Sequence, residues 1–464
     1  MPTTSSLTRL SRREFLRVSA LAGMSLIATQ CAKAPASPSA AEPTQAAVPP
    51  TAAPQPAASG KKIVLAAGAD ASTEPMRDMI NEGMAQEALG VPVEWVEFPY
   101  STLYEKLVQV GQSKGPDFDL YMMDDPWVPQ FAGGGYIRNM TEMGYKPGPG
   151  IIEKTLDLGW WPPKTGPRVP GIASNAEPQL YILPIIGDCQ IFFYRKDLLE
   201  AAGIKPPETW DDIINIGEKL AKPAEGFYLL ACRGLRGNDI VTEWFPYLYS
   251  FGGDIFDDRW NVTFNQQPGI DALQLFVDLL KWEPPDVANY GADEQGQLYL
   301  QGNCVVNIEW TGWISQAENP EKSKVVGKTG WTIPPKKVRH ASEIGNWVMG
   351  IAAGSENPEG ALKFLDWFLQ DDVQTELAKR KGIPVKRAPY QDKDLQAKFP
   401  WLPTVMNALD NTVWRPRTPD WAKVEDTLGL HLNLAITKQE GVKEALDKAA
   451  QEATDFLKSQ GYYS

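Results

Sequence analysis

Residues 61–125 read KKIVLAAGADASTEPMRDMINEGMAQEALGVPVEWVEFPYSTLYEKLVQVGQSKGPDFDLYMMDD, and they decide the fold class. Their apolar residues alternate between short extended runs and the three-to-four-residue spacing of amphipathic helices. The pattern predicts strands at 63–67, 91–98 and 119–123, separated by helices at 76–89 and 102–110. This alternation is typical of a mainly parallel sheet with right-handed crossovers. The predicted fold class is therefore α/β.

Three segments directly follow the predicted strands, at 68–70, 99–101 and 124–127. Ligands of open α/β sheets bind outside the carboxyl ends of the strands. We therefore expect these three segments to line one rim of a binding site.

A second group of strands and helices follows an extended run at 181–185. Thr209 is predicted to cap the next helix, with Asp212 completing a start that resembles a capping box. The remaining pattern predicts strands at 189–194 and 305–308, and helices at 212–220, 268–282, after the N-cap Asn357 and at 442–457. A chain of 464 residues, at roughly 100 to 200 residues per domain, is expected to form two to three domains or two lobes around a cleft.

The composition is that of a soluble globular protein, with 43% hydrophobic and 22% charged residues. The net charge is -13 and the body of the chain has no basic patch, so we expect no nucleic-acid partner. Only two histidines occur, His340 and His431, and they are far apart in the sequence. This argues against a histidine-rich metal site, and we expect neither a metal nor a cofactor.

Sequence signatures of catalysis are weak. Gly327-Lys328-Thr329 imitates the end of a phosphate-binding loop, but Lys322 occupies the position of the first glycine. There is no H-E-x-x-H motif and no G-x-G-x-x-G that opens a helix. Two carboxylates can flank a glycosidic bond in a hydrolase, yet nothing marks a particular pair here. We expect no catalytic residue, and a secreted carbohydrate-active hydrolase remains the alternative function.

The amino terminus has the features of an export signal. Arg12 and Arg13 precede an apolar dipeptide and the weakly polar run 18–28, which resembles a twin-arginine signal. Cys31 ends a segment similar to a lipobox, although Gln30 occupies a position where a small residue is usual. We interpret 1–31 as an export signal with lipidation at Cys31, and the Ala- and Pro-rich residues 32–60 as a disordered tether. A soluble exported protein with an incidental Cys31 is the alternative.

Three further cysteines, Cys189, Cys232 and Cys304, occur in apolar segments. An odd number of cysteines cannot all pair within the chain. Buried free thiols are therefore favoured, and a bridge between Cys189 and Cys232 remains open.

Tryptophan is unusually frequent, with 16 Trp and 16 Phe. Four of them, Trp127, Trp310, Trp313 and Trp347, fall near strand ends or in loops. An indole face packs against the C–H face of a sugar ring, while nearby Asp, Asn and Arg side chains bond its hydroxyls. The pattern suits a polyhydroxylated ligand, and the alternative is that each Trp only packs in the core.

Seven short motifs occur in the following order: LPI at 183–185, FYRKDLL at 193–199, AGI at 202–204, PPETWDD at 206–212, SFGG at 250–253, GNCVV at 302–306 and NPEGA at 357–361. Together they resemble the extracytoplasmic solute-binding proteins of ABC importers, in the cluster that includes maltose-binding and glycerol-phosphate-binding proteins. The resemblance implies a periplasmic-binding-protein-like fold, with two α/β lobes and a ligand cleft between them. By analogy, lobe one is 61–182 plus 347–398, and lobe two is 183–346 plus 399–464.

The resemblance also implies a function without catalysis: capture of a sugar or polyol and its delivery to ABC permease subunits. The receptor would be a monomer, anchored by lipid at the outer face of the cytoplasmic membrane or periplasmic. The ligand-binding residues that it implies are Asp70, Asp124, Asp125, Trp127, Asp188, Trp310, Trp313, Asn346, Trp347, Arg415 and Arg417.

Overall fold

The computed structural model describes residues 60–463, so the predicted export signal, Cys31 and the tether up to residue 59 lie outside the described residues. The strands in this range are β1 (Ile63–Ala69), β2 (Val93–Pro99), β3 (Leu120–Asp124), β4 (Trp160–Trp161), β5 (Gln179–Leu180), β6 (Ile182–Ile186), β7 (Gln190–Arg195), β8 (Val306–Trp310), β9 (Thr329–Thr332), β10 (Ser342–Glu343), β11 (Trp347–Ile351) and β12 (Thr412–Val413). The helices are α1 (Glu74–Asn81), α2 (Met84–Leu89), α3 (Tyr100–Ser113), α4 (Val128–Gly133), α5 (Glu153–Leu156), α6 (Lys196–Ala201), α7 (Trp210–Leu220), α8 (Asn238–Ser250), α9 (Gln267–Leu279), α10 (Ala292–Leu300), α11 (Trp313–Ala317), α12 (Pro358–Phe368), α13 (Asp371–Lys379), α14 (Arg387–Gln391), α15 (Lys393–Lys398), α16 (Leu402–Asp410), α17 (Trp421–Ile436) and α18 (Val442–Ser459).

Five strands form the first sheet, in the order β2-β1-β3-β11-β6. Strand β1 pairs in parallel with β2 and β3, as the strand-helix alternation predicts. Strand β11 runs antiparallel to both β3 and β6, so the sheet is mixed. Every residue of β3, β6 and β11 is buried, as in sheets that are covered on both faces.

The predicted helix 76–89 is two helices, α1 and α2. Gly83 separates them with φ of 89°, a left-handed backbone conformation that glycine adopts without a steric penalty. The apolar residues keep helical spacing on both sides of this glycine. The sequence pattern alone therefore predicts one continuous helix.

The second sheet has the order β8-β7-β9 and is antiparallel throughout. The predicted capping box before α7 is confirmed: the Asp212 amide donates to Thr209 Oγ1 at 3.2 Å, and the Thr209 amide donates to Asp212 Oδ2 at 2.9 Å. The predicted N-cap Asn357 is also confirmed, since its Oδ1 accepts a hydrogen bond from the Gly360 amide. Helices α8, α9, α17 and α18 share a second hydrophobic core with strands of this sheet.

The chain connects the two sheets at three places. It leaves the first sheet at 187–189, returns at 344–346 and leaves again between α16 and α17. The Gly345 amide donates to the Asp188 carbonyl at 3.1 Å, and the Ile344 amide donates to the Val413 carbonyl at 3.2 Å. The three crossings therefore lie side by side.

Strand pairing corrects the predicted lobe boundaries. Residues 183–186, which the resemblance assigned to lobe two, belong to β6 and pair with β11 in the first sheet. Sequence motifs locate such segments along the chain, whereas strand pairing decides which sheet they join. The first sheet therefore extends to residue 186.

Cys189, Cys232 and Cys304 are buried free thiols, as favoured, so Cys189 and Cys232 form no bridge. Across residues 60–463, no helix combines the length and the apolar character needed to cross a membrane.

Replacement of Thr209 by Ala should destabilise the protein by about 1 kcal/mol, because an N-cap side chain satisfies an otherwise unpaired backbone amide. Urea unfolding followed by tryptophan fluorescence measures the change. Thr437→Ala is the matched control, since its hydroxyl donates only to carbonyls at the end of its own helix. Equal unfolding midpoints for the two variants would contradict the capping role.

Candidate functional site

A cavity of about 920 Å³ opens where the parallel strands of the first sheet end. Asp70 follows β1, Tyr100 follows β2 and Asp124 ends β3, and all three line the cavity. The predicted rim is thus confirmed, because each of the three segments after the strands contributes to it.

The opposite wall comes from elements of the second lobe. Its lining side chains include Arg233, Asn238, Asp239, Glu294, Gln297, Trp310 and Trp313. Asp188, Gly345, Trp347 and Arg415 come from the three crossings or directly follow them. The cavity therefore lies between the lobes, beside the crossings.

Two side-chain contacts connect the two walls of the cavity. Gln316 Nε2 donates to Glu74 Oε2 at 2.7 Å, and Lys322 Nζ lies 3.3 Å from the same oxygen. Glu74 belongs to lobe one, and its two partners belong to lobe two.

Three indoles in the wall are each seated against a glycine. A Cβ atom on Gly345 or on Gly296 would lie 2.2 Å from ring carbons of Trp310 or Trp313, respectively. A Cβ atom on Gly68 would lie 2.6 Å from the ring of Trp347. Real Cβ atoms do not approach this closely, so the glycines allow the rings to occupy these positions. All three indoles are therefore closely packed, and all three line the same cavity.

The structure brings seven of the eleven residues implied by the resemblance to the cavity: Asp70, Asp124, Asp188, Trp310, Trp313, Trp347 and Arg415. Asp125, Asn346 and Arg417 are buried and do not line it. Asp125 accepts a hydrogen bond from Arg415, while Arg417 donates to the carbonyls of Asp125 and Leu158. Asp125 and Arg417 therefore stabilise the wall of the cavity through hydrogen bonds without lining the cavity themselves.

Trp127 lies in a smaller adjoining pocket. Its ring packs between Tyr100, at a centroid distance of 5.5 Å, and Tyr104, at 5.2 Å. Trp127 therefore supports Tyr100, which faces the main cavity.

The sequence analysis did not single out several lining residues. Tyr100 could have been found from the sequence, because it belongs to the predicted rim segment 99–101. In the structure, its hydroxyl donates to Asp124 Oδ2 at 2.8 Å. Arg233, Asn238 and Asp239 carry no local signal, since only the packing of the second lobe brings them to the cleft.

Arg415 is the centre of a buried ionic cluster. It forms ion pairs with Asp124, Asp125 and Glu343, and its Nη1 donates to Asp124 Oδ2 at 2.9 Å. Burial raises the pKa of Asp125 to about 6 although the guanidinium groups of Arg415 and Arg417 lower it. The cluster fixes the end of β3 against the third crossing.

Arg233 is held in a second cluster in the wall of lobe two. Its guanidinium pairs with Glu309, and its Nε donates to Gln295 Oε1 at 2.7 Å. Gln295 Nε2 in turn donates to Glu243 Oε2 at 2.8 Å. Burial raises the pKa of Glu309 to about 7 and that of Glu243 to about 8, because Arg233 only partly offsets the desolvation of these carboxylates.

Asp188 lies at the first crossing and is 3% exposed. The Thr311 hydroxyl and the Gly312 amide both donate to its Oδ1. Burial, reinforced by the nearby charge of Asp70, raises the pKa of Asp188 to about 7. Burial and the charge of Asp70 therefore disfavour the ionised form of this carboxylate.

The fold of this chain is similar to that of known proteins. Residues 69–375 match the family model described as bacterial extracellular solute-binding protein. A probable amino-acid ABC transporter periplasmic-binding protein of Sinorhizobium fredii is 26% identical over 411 residues, which cover 87% of this chain and 91% of the relative.

Two further proteins have names that state a ligand. A mannitol-binding protein of Pseudomonas aeruginosa is 24% identical over 396 residues, covering 80% of this chain and 88% of the relative. The structure of maltose-bound MalE3 of T. maritima superposes with a TM-score of 0.73 at 26% identity, covering 85% of this chain and 99% of that one.

The raised carboxyl pKa values predict that the empty protein loses stability as pH rises from 5.5 to 8. Unfolded carboxyls have pKa values near 4, whereas those of Asp125, Asp188, Glu309 and Glu243 lie at about 6 to 8 in the folded state. Between these limits the folded protein holds protons that the unfolded chain has released, so lower pH favours folding. Calorimetric melting temperatures measure the trend.

Asp188→Asn should make this dependence on pH shallower, because it removes one of the titrating groups. Asp278→Asn, at an exposed helix position, is the control and should leave the slope unchanged. A melting temperature that rises between pH 5.5 and 8 would contradict the assignment.

Proposed function

This chain belongs to the family of bacterial extracellular solute-binding proteins, and from that premise we propose that it captures a sugar or polyol outside the cytoplasmic membrane and delivers it to the permease of an ABC importer. The ligand is bound between the lobes and leaves unchanged. Delivery requires a partner in the membrane, for which the two lobes present surfaces on either side of the cleft.

The observation that carries this proposal is the wall of the cavity. Trp310, Trp313 and Trp347 line one cavity together with Asp, Asn and Arg side chains, and each indole is held in place by close packing against a glycine. Indole faces pack on the C–H faces of a sugar or the chain of a polyol, and the polar groups bond its hydroxyls. The size of the cavity accommodates a ligand of this class.

The names of the relatives support a polyhydroxylated ligand in two cases, mannitol and maltose. The Sinorhizobium relative is named for an amino acid. Amino acids therefore belong in any binding experiment as the competing class.

The hydrolase alternative has less support. Gly111-Gln112-Ser113-Lys114-Gly115 has the G-x-S-x-G spacing, but a nucleophile elbow turns from a strand into a helix. Ser113 instead ends α3, and its hydroxyl donates to the Val110 carbonyl. The relatives compared above are binding proteins, and we propose that this chain has no enzymatic activity.

A panel of sugars, polyols and amino acids, read by thermal shift, tests the proposed function. A ligand at 100 times its dissociation constant stabilises a protein by about 2.7 kcal/mol. Product analysis of the same mixtures detects turnover. Stabilisation only by amino acids, or release of a shorter sugar, would overturn the proposal.

Trp310→Ala should reduce the affinity for the sugar or polyol found in that panel by about thirtyfold, because buried aromatic anchors contribute about 2 kcal/mol or more to binding. Isothermal titration calorimetry measures the affinity. Gly345→Ala provides a second variant, which keeps the indole but forces it to move.

The control is Trp282→Ala, because Trp282 packs on Gly217 away from the cavity. This control should lower the melting temperature and leave affinity unchanged. Normal affinity in folded Trp310→Ala and Gly345→Ala proteins would show that this indole is only a packing residue.

We further propose that Cys31 carries a lipid and that residues 32–60 tether the receptor to the membrane. The supporting observation is the sequence order of twin arginines, an apolar run and Cys31 before an Ala- and Pro-rich segment. Each buried lipid methylene contributes about 0.8 kcal/mol, so two acyl chains anchor a protein stably.

Cys31→Ser should therefore release the protein from the membrane fraction into the soluble exported fraction. Fractionation of expressing cells, with immunodetection, measures the distribution. Cys189→Ser is the control, since Cys189 is buried in the folded body. Membrane association of the Cys31→Ser protein equal to that of the parent would contradict lipidation.

A further inference from the structure

The cations that line the cavity already have carboxylate partners. Arg415 pairs with Asp124, Arg233 with Glu309, Lys322 with Glu74, and Arg77 with Glu97 and Asp78. No lining Lys or Arg of the described chain is therefore left without an ion pair.

The lining carboxylates, in contrast, are in excess. Only Glu74 and Asp124 form ion pairs with described side chains. The others have no Lys or Arg of residues 60–463 within ion-pairing distance: Asp70, Asp188, Asp239, Asp293 and Glu294. These five carboxylates thus lack a close cationic partner in the described chain, although the charge of Arg233 acts on Asp239 and Asp70.

Asp188 is the most deeply placed of these groups. The Thr311 hydroxyl and the Gly312 amide both donate to its Oδ1, and both donors are uncharged. Asp70 lies close enough to repel it, and the uncharged Ser72 hydroxyl, which donates to Asp70 Oδ1 at 2.5 Å, is also within hydrogen-bonding reach of Asp188. A buried carboxylate beside a like charge is costly unless a cation joins it.

Resting on the function proposed above, we infer that the preferred ligand carries a protonated amine on its polyhydroxylated frame and that Asp188, assisted by Asp70, receives this amine. The ligand class is an amino sugar or amino polyol. The indoles contribute to the same preference, since a cation over an indole face is attracted by the ring.

A neutral hydroxyl cannot replace the amine fully. It donates one hydrogen bond to a carboxylate, but it leaves the paired negative charges of Asp70 and Asp188 uncompensated. An ammonium group donates charge-assisted hydrogen bonds and offsets the charge as well. The preference should therefore depend on the carboxylate of Asp188.

The experiment compares matched probes that differ only in an amine. D-glucamine is compared with D-sorbitol, and D-glucosamine with D-glucose, by calorimetry on the full exported chain at pH 7. The amine should bind at least about tenfold more tightly than its neutral partner in one or both pairs. In Asp188→Asn this ratio should fall close to one.

Asp278→Asn is the matched control, because the same substitution is made at an exposed position outside the cavity, and it should keep the parental ratio. Neutral probes that bind as tightly as the amines overturn the inference and leave the proposed function standing, as does an amine preference that survives in folded Asp188→Asn. Failure of these four probes and of every sugar and polyol in the panel to bind overturns both.

Discussion

The buried ion pairs of Arg415 are the constraint on which the binding cavity depends. Removing a charged group from water costs several kcal/mol, and only well-placed partners offset that cost. Here the partners are Asp124 and Asp125 at the end of β3 and Glu343 next to the second crossing, while Arg415 itself lies in the third crossing. The cluster is complete only when the first sheet and two crossings have assembled. It therefore couples the folding of the lobes to the formation of the site.

The aromatic faces depend on packing in the same way. Gly345 and Gly296 lie so close to the rings of Trp310 and Trp313 that no side chain could replace the glycine hydrogen without moving the ring. The rings consequently have little freedom before a ligand arrives. A preorganised surface loses little entropy on binding, which favours affinity at modest contact area.

The buried carboxylates affect both the stability of the ligand-free protein and the proposed binding of its ligand. The folded body buries carboxylates whose raised pKa values reflect incomplete compensation, and Asp188 is one that also faces the cavity. A ligand that offsets this charge stabilises the folded state as well as occupying the site. A buried carboxylate without a cationic partner is otherwise unfavourable, which is why the proposed ligand is one that carries a compensating charge.

The sequence by itself determined the features that depend on neighbouring residues: the α/β class, the capping boxes and caps at Thr209 and Asn357, and the rim segments after the first three strands. Periodicity and capping chemistry act within a few residues, so they can be read locally. Tertiary structure alone decided that β11 runs antiparallel and that residues 183–186 join the first sheet. It also decided that Arg233 and Asn238 reach the cleft, whereas Asp125, Asn346 and Arg417 do not. These outcomes arise from strand pairing and from the partners of buried charges, which join residues far apart in the chain.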